Sequence, residues 1–145
     1  MFHNILVPLD GSENAYRTLT LAANLAKQFD AQINVLSVFR HHSYIEASIS
    51  MIRPRDPENL DDVLSAYAKA VVEKGKAILR EQGVTKVRGF IKMGTASKKI
   101  LEFVQKNDID IIVISSKGRG DLTGYLLGGV SHKVAGLAKC PVMVT

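Results

Sequence analysis

Residues 108–116 read DIDIIVISS, and after Asp110 the segment is apolar without a break as far as Ile114. A strand with one wet face alternates apolar and polar residues, whereas a strand covered on both faces is apolar at consecutive positions. The segment therefore predicts a strand over Asp110–Ser116 in a sheet that carries other structure on both of its faces.

The segments on either side of this strand supply the covering structure. Short apolar runs predict four further strands, and apolar residues at every third or fourth position predict four helices. The strands are Phe2–Leu9, Gln32–Phe39, Val87–Met93 and Pro141–Thr145, and the helices are Ser12–Phe29, Asn59–Gln82, Thr95–Asn107 and Val130–Lys139. Strands and helices that alternate in this way form right-handed crossovers in a parallel sheet. The prediction is an α/β fold, a doubly wound five-stranded parallel sheet of the Rossmann-like, adenine nucleotide alpha hydrolase-like type, with residues 1–145 as one domain.

Several details of the helices follow from single residues. Ser12 follows an Asp-Gly turn and is a typical N-cap of the first helix. Gly83 is placed to end the long second helix. Within that helix, Tyr67 lies on the apolar stripe. In the last helix, Val134 and Leu137 are expected to point inward.

The composition narrows the class of protein. The chain has 145 residues, 46% of them hydrophobic, and a formal net charge of +5. Because its lysines and arginines are scattered and no aromatic platform accompanies them, no nucleic-acid partner is predicted. No stretch approaches the roughly 20 apolar residues of a membrane span, and residues 1–10 lack the basic start of a signal peptide. A cytoplasmic protein that does not span the membrane is therefore predicted.

Three other features have weaker implications. Cys140 is the sole cysteine, so it cannot form an intramolecular disulfide, and its apolar setting predicts burial. The adjacent pair His41-His42 lacks the further ligands of a metal site. The connection over residues 40–58 is longer than such connections usually are, and it is either a flap over the site or a partner surface.

The candidate site follows from the fold, because ligands of doubly wound sheets bind at the carboxyl ends of strands where the strand order reverses. The first and fourth strands end in Asp10-Gly11-Ser12 and in residues 115–129. Residues 118–129 read GRGDLTGYLLGG, with five glycines in twelve residues. Glycines let the backbone approach an anion closely, and the first N–H groups of the last helix would face that anion.

The glycine segment matches neither common phosphate-binding motif. Gly124 and Gly129 have the spacing of a Walker A loop, but valine and serine follow them rather than lysine and serine or threonine. The dinucleotide pattern would begin at Gly118, and Thr123 stands where its third glycine belongs. From composition alone, a surface loop that ends in a glycine helix cap stays an alternative to a phosphate cradle.

Three stretches together resemble the universal stress protein family. They are residues 5–12 (ILVPLDGS), residues 36–38, and the block from 112 through 118 to the segment CPVMV at 140–144. The resemblance covers essentially the whole chain, and the connection over residues 40–58 is its least characteristic part.

The glycine signature of the family's ATP-binding members is matched in part. It consists of glycine, two residues, glycine, nine residues, and then glycine followed by serine or threonine. Gly118 and Gly128 fit this spacing, but Ser115 stands at the first glycine and Gly129 at the hydroxyl residue. A lost hydroxyl that donated to a phosphate would weaken binding by about tenfold to a hundredfold, although Ser131 offers a hydroxyl further into the turn. Ser115 excludes the ligand only if its position requires φ > 0 or leaves no room for a Cβ.

The resemblance implies a site for ATP, or for AMP or ADP, with Mg²⁺ or Mn²⁺. The implied ligand-binding residues of this sequence are Pro8, Leu9, Asp10, Val38, Ile114, Ser115, Lys117, Gly118, Arg119, Gly128, Gly129, Val130 and Ser131. Val38 would meet the adenine through its backbone, Ile114 and Ser115 would lie near the base and ribose, and the glycines with residues 130–131 would hold the phosphates. Asp10 would approach the phosphates through the metal ion, but from the residues alone a turn-forming carboxylate that caps the first helix is favoured.

The resemblance also implies a function. It predicts a stress-response protein that binds the nucleotide as a regulatory ligand, forms a homodimer through its C-terminal strand or a higher oligomer, and acts on a partner such as a transporter or kinase. No nucleophile can be recognised in the sequence, so an enzyme is not the expectation. The alternatives are a nucleotide-free dimeric scaffold with a degenerate pocket and a slow ATPase.

Overall fold

The computed structural model describes residues 1–40, 57–117 and 129–145. Its elements in chain order are β1 (Asn4–Pro8), α1 (Glu13–Phe29), β2 (Gln32–Phe39), α2 (Pro57–Glu81), β3 (Val87–Met93), α3 (Ala96–Lys106), β4 (Ile111–Ile114), α4 (Gly129–Leu137) and β5 (Val142–Val144). Every predicted strand and helix is present, and β2 and β3 have the predicted bounds. The predictions for His41, His42 and most of the 40–58 connection lie outside the described residues.

The strands form one sheet in the order β3-β2-β1-β4-β5, and every neighbouring pair is parallel. The chain builds the sheet outward from β1 to β3 and then returns to add β4 and β5 on the other side of β1. The strand order therefore reverses between β1 and β4, which confirms the predicted fold class and places the switch point where the site was expected.

Strand β4 shows why its sequence is apolar throughout, because all four of its residues are buried. Ile111 and Val113 belong to the core cluster formed with α1 and α2. Ile112 and Ile114 belong to the cluster on the other face, formed with α3 and α4. Since successive side chains of a strand point to opposite faces, the helices lie two on each face, which confirms the prediction that helices cover both faces.

The ends of α1 and α2 are capped by the residues that predicted them. Ser12 is the N-cap of α1, and its hydroxyl oxygen accepts the Ala15 amide at 3.2 Å. After α2, Gly83 adopts φ +89°, and the Val84 amide donates to the Leu79 carbonyl at 3.0 Å. This is a Schellman motif, in which glycine takes the left-handed conformation at low cost.

Two side chains predicted to point inward do not. Leu137 is 66% exposed, while Val134 of the same helix is fully buried; β5 is an edge strand, and no described element lies beyond it to cover Leu137. Tyr67 is 43% exposed because the buried face of α2 is carried by its neighbours Ala68, Val71 and Val72. Within the described ranges, the helices are all too short or too polar to cross a membrane.

Candidate functional site

The central strand β1 separates from β4 near its carboxyl end. β1 pairs with β2 along its full length to Pro8, but with β4 at two positions only. Ile112 donates its amide towards β5, to Pro141 at 3.0 Å, so the next peptide group, that of Val113, faces β1. The donor position opposite the Val113 carbonyl is Pro8, which has no N–H. A gap therefore opens between β1 and β4 at Pro8.

Backbone groups of the two neighbouring strands face this gap. The Leu36 carbonyl accepts the Leu9 amide at 2.8 Å, so Leu36 faces β1, and Val38, two residues later, faces the same side beyond the end of β1. Across the gap, the Ser116 amide donates at 2.9 Å to the carbonyl of the last residue of the chain. Ser115, one residue earlier, therefore directs its peptide groups towards the gap.

A cavity of about 240 Å³ occupies this gap. Its lining includes ten of the thirteen predicted ligand-binding residues: Pro8, Leu9, Asp10, Val38, Ile114, Ser115, Lys117, Gly129, Val130 and Ser131. The other three, Gly118, Arg119 and Gly128, lie outside the described residues. The volume is slightly below the range of about 300–1,000 Å³ that is typical of small-molecule sites.

Four further residues line the cavity but were not predicted as ligand-binding residues: Ala15, Leu36, Ala96 and Ile100. Ala96 and Ile100 lie one helical turn apart at the start of α3. This helix begins just after the carboxyl end of β3, on the side of the sheet where the other parallel strands also end. The signal for them was their spacing of four residues in the helix that follows a strand. Leu36 shares a sheet face with Val38, because the two residues are two positions apart in β2.

Asp10 both forms a turn and borders the cavity. Its carboxylate accepts the Ser12 amide at 2.9 Å, and Gly11 between them adopts φ +87°. The predicted turn-forming role of Asp10 is therefore present, although Ser12 caps α1. Asp10 is also one of the residues that line the cavity.

The structure answers the question that Ser115 raised. Its φ is not in the left-handed region, so a residue with a Cβ occupies this position without backbone strain. The Ser115 hydroxyl donates to the Lys117 carbonyl at 2.8 Å and accepts the Lys117 amide at 3.3 Å. The side chain is thus engaged with the backbone that leads out of β4, and the cavity forms beside it.

The first turn of α4 contains the other departure from the family signature. A Cβ built at Gly129 would meet no described atom within 4 Å, so this position has room for a larger residue. The buried Ser131 donates its hydroxyl to the Ser116 carbonyl at 3.2 Å. In this arrangement the Ser131 hydroxyl ties the start of α4 to the end of β4.

The cavity has two chemically distinct parts. Its wall is mainly apolar, with contributions from Leu36, Val38, Ile100 and Ile114, whereas its polar groups come from Asp10, Ser115, Lys117 and the first turn of α4. The described side chains contain no group of three or more His, Cys, Asp and Glu residues that could hold a metal ion. His132 is exposed and does not line the cavity. The site therefore combines apolar surface with polar and charged groups.

The comparison with known proteins identifies the family. The sequence model of the universal stress protein family matches residues 1–145. The chain belongs to this family. It is similar to the universal stress protein YxiE of Bacillus subtilis (strain 168), with 30% identity over 99% of each chain. The family match therefore confirms the resemblance to universal stress proteins that the sequence motifs indicated.

Solved structures of universal stress proteins share the fold of this chain. The universal stress protein UspA from Lactobacillus plantarum has a TM-score of 0.82 and 24% identity, covering 99% of this chain and 97% of its own. A universal stress protein in complex with cAMP has a TM-score of 0.72 at 19% identity, covering 99% of this chain and 96% of its own. The universal stress protein from Archaeoglobus fulgidus in complex with dAMP has a TM-score of 0.71 at 20% identity, covering 99% and 97%.

Proposed function

We propose that this universal stress protein binds ATP, or AMP or ADP, as a regulatory ligand in the cavity between β1 and β4. The observation that carries the proposal is the gap at Pro8, around which an apolar wall and a polar lip are arranged. Two proteins of the same fold, solved with cAMP and with dAMP, support an adenine nucleotide as the ligand class.

The apolar part of the cavity is proposed to hold the adenine ring and the ribose. Leu36, Ile100 and Ile114 supply apolar surface for a flat base. The N–H and C=O of Val38 face the gap and can hydrogen-bond the edge of the base, as backbone groups do in many ligand sites. The ribose would lie near Ile114 and Ser115.

The phosphates are proposed to lie at the start of α4. The first N–H groups of a helix have no partner within the helix and carry the positive end of its dipole, and Gly129 leaves space beside them. Lys117 adds a positive charge at the same end of the cavity. Gly118, Arg119 and Gly128 belong to this proposal by their positions in the sequence, and Asp10 would share Mg²⁺ or Mn²⁺ with the phosphates.

The nucleotide is proposed to act as a signal that a homodimer presents to a partner protein, such as a transporter or kinase, in the cytoplasm. The 40–58 connection is proposed as the contact surface or as a flap. Two alternatives stay open to experiment. Loss of the hydroxyl at Gly129 favours a nucleotide-free scaffold, and a slow ATPase would reveal itself by turnover that Asp10→Ala abolishes.

The first test is the nucleotide content and affinity of the purified protein. Denatured protein should release an adenine nucleotide, detected by absorbance and chromatography, and millimolar MgATP should raise the melting temperature of the nucleotide-free form. No released nucleotide together with no thermal shift would exclude the proposed function and favour the scaffold.

A cavity-filling substitution tests the location of the site. Ala96→Phe places a ring against the cavity wall and should lower MgATP affinity at least tenfold by calorimetry, since it removes space that the ligand needs. The matched control is Ala70→Phe, which adds the same ring to an exposed position of α2. Equal affinities of both variants and the natural protein would place the ligand elsewhere.

A further inference from the structure

Tyr67 and Val71 of α2 pack on the β1–α1 turn, although neither lines the cavity. An ideal Cβ built at Gly11 would overlap the Tyr67 hydroxyl oxygen and would lie 3.1 Å from its Cζ and 3.2 Å from Val71 Cγ2. Gly11 also adopts φ +87°. The turn thus has two independent reasons for glycine, and the nearest of the two side chains is a phenol that is 43% exposed.

The same turn belongs to a polar cluster of two phenols and a carboxylate. Burial raises the pKa of Tyr16, and the charges of Tyr67 and Asp10 raise it further. Lys74 places its ammonium group 4.4 Å from the centre of the Tyr16 ring. Tyr67 therefore lies near Tyr16 as well as against Gly11.

From these contacts we infer that Tyr67 is a positioning residue for the Asp10 end of the nucleotide site. Its phenol limits the movement of Gly11, and Gly11 joins Asp10 to Ser12, the residue whose amide holds the Asp10 carboxylate. This inference rests on the proposed function, because Asp10 is there assigned to the phosphates. By linkage, a ligand that contacts Asp10 also alters the environment of Tyr67 on the exposed face of α2.

The first experiment compares MgATP with adenosine, which lacks phosphates, by calorimetry on the natural protein, Tyr67→Ala, Tyr67→Phe and Val63→Ala. We expect Tyr67→Ala to lower MgATP affinity about fivefold or more, at the low end of typical coupling between sites, and adenosine affinity less than twofold. Tyr67→Phe keeps the ring and should lose less. Val63→Ala truncates another exposed side chain one turn earlier in α2 and should change neither affinity.

If Tyr67 only supports the fold, Tyr67→Ala should lower the affinities for MgATP and adenosine equally, and that result would overturn the inference. Unchanged affinities in Tyr67→Ala would overturn it as well. Amide hydrogen exchange at Ser12 and Ala15 gives a second readout that requires no ligand, because these amides bond to Asp10 and Ser12. Faster exchange in Tyr67→Ala is expected. If the natural protein binds neither ligand, the proposed function fails, while unchanged exchange at these amides would refute the positioning role itself.

Discussion

At Gly129 the chain has no side chain at the point where the cavity meets the first turn of α4. A Cβ added at Gly129 would meet no atom of the described residues within 4 Å, and the Ser131 hydroxyl donates to the Ser116 carbonyl. Gly129 therefore brings no hydroxyl to this turn, where the family signature has serine or threonine. Whether that lowers the affinity for a triphosphate can be tested at this one residue.

Gly129→Ser should raise MgATP affinity by about tenfold or more, because a hydrogen bond to a charged group contributes roughly 1.5–3 kcal/mol. Adenosine affinity should stay the same, since the added hydroxyl lies at the phosphate end. Gly136→Ser is the control, because a Cβ at Gly136 in the same helix also meets no atom within 4 Å in the part of the chain that the structure describes. Calorimetry that shows no gain in Gly129→Ser, or an equal gain in both variants, would contradict the assignment of the phosphates to α4.

Single residues also mark the limit of what the sequence could predict about the site. Ten predicted residues line one cavity because the ends of β1, β2 and β4 could be located from strand boundaries and from the family resemblance. Ala96 and Ile100 were missed because their spacing of four residues indicates a shared helix face but not that this face borders the cavity. The hydrogen bond of the Ser131 hydroxyl was also unpredictable, since it joins a backbone carbonyl of another element whose position depends on the fold.

Among the elements, the predicted bounds were accurate where a strand or helix ends for a local reason. β2 and β3 have the predicted bounds, and α2 ends in a glycine motif that the sequence indicated. β4 is shorter than predicted because its flanking residues are used in other ways. The Asp110 carboxylate accepts the amides of His3 and Asn4, and Ser115 bonds to Lys117. Neither kind of pairing is readable from a hydrophobic pattern.

The Schellman motif after α2 provides a test at this scale. Gly83→Ala should lower the free energy of unfolding by about 1–2 kcal/mol, because a residue with a Cβ is strained at φ +89°. Contacts with other residues do not contribute to this loss, since the nearest atom to the added Cβ, Lys27 Cδ, would be 3.9 Å away. Gly136→Ala is the counterpart and should raise the same free energy by up to about 1 kcal/mol, because its position is helical and open.

Urea unfolding at one protein concentration measures both substitutions. Changes of the same sign in Gly83→Ala and Gly136→Ala would show that the left-handed conformation does not determine where α2 ends.

At the scale of the whole molecule, the sheet ends in two edge strands, β3 and β5, whose side chains differ in chemistry. β3 carries the exposed charges of Arg88 and Lys92 at one edge, and charged side chains protect an edge strand from pairing. β5 at the other edge is apolar in all three of its residues, which are only partly buried, and the exposed Leu137 lies five residues before it. The proposed homodimer interface is therefore the β5 edge rather than the β3 edge.

The backbone of β5 permits a selective test of that interface. Pro141 and Thr145 bond to β4, so by alternation the Val144 amide points away from the sheet, towards the proposed partner. Val144→Pro removes this outward N–H without removing a β4–β5 hydrogen bond, and it should convert the dimer to monomer in light scattering at micromolar concentration. Met93→Pro is the control, because the amide of this last β3 residue points outward at the other edge. If Val144→Pro stayed dimeric, or if Met93→Pro alone became monomeric, the interface would not be β5.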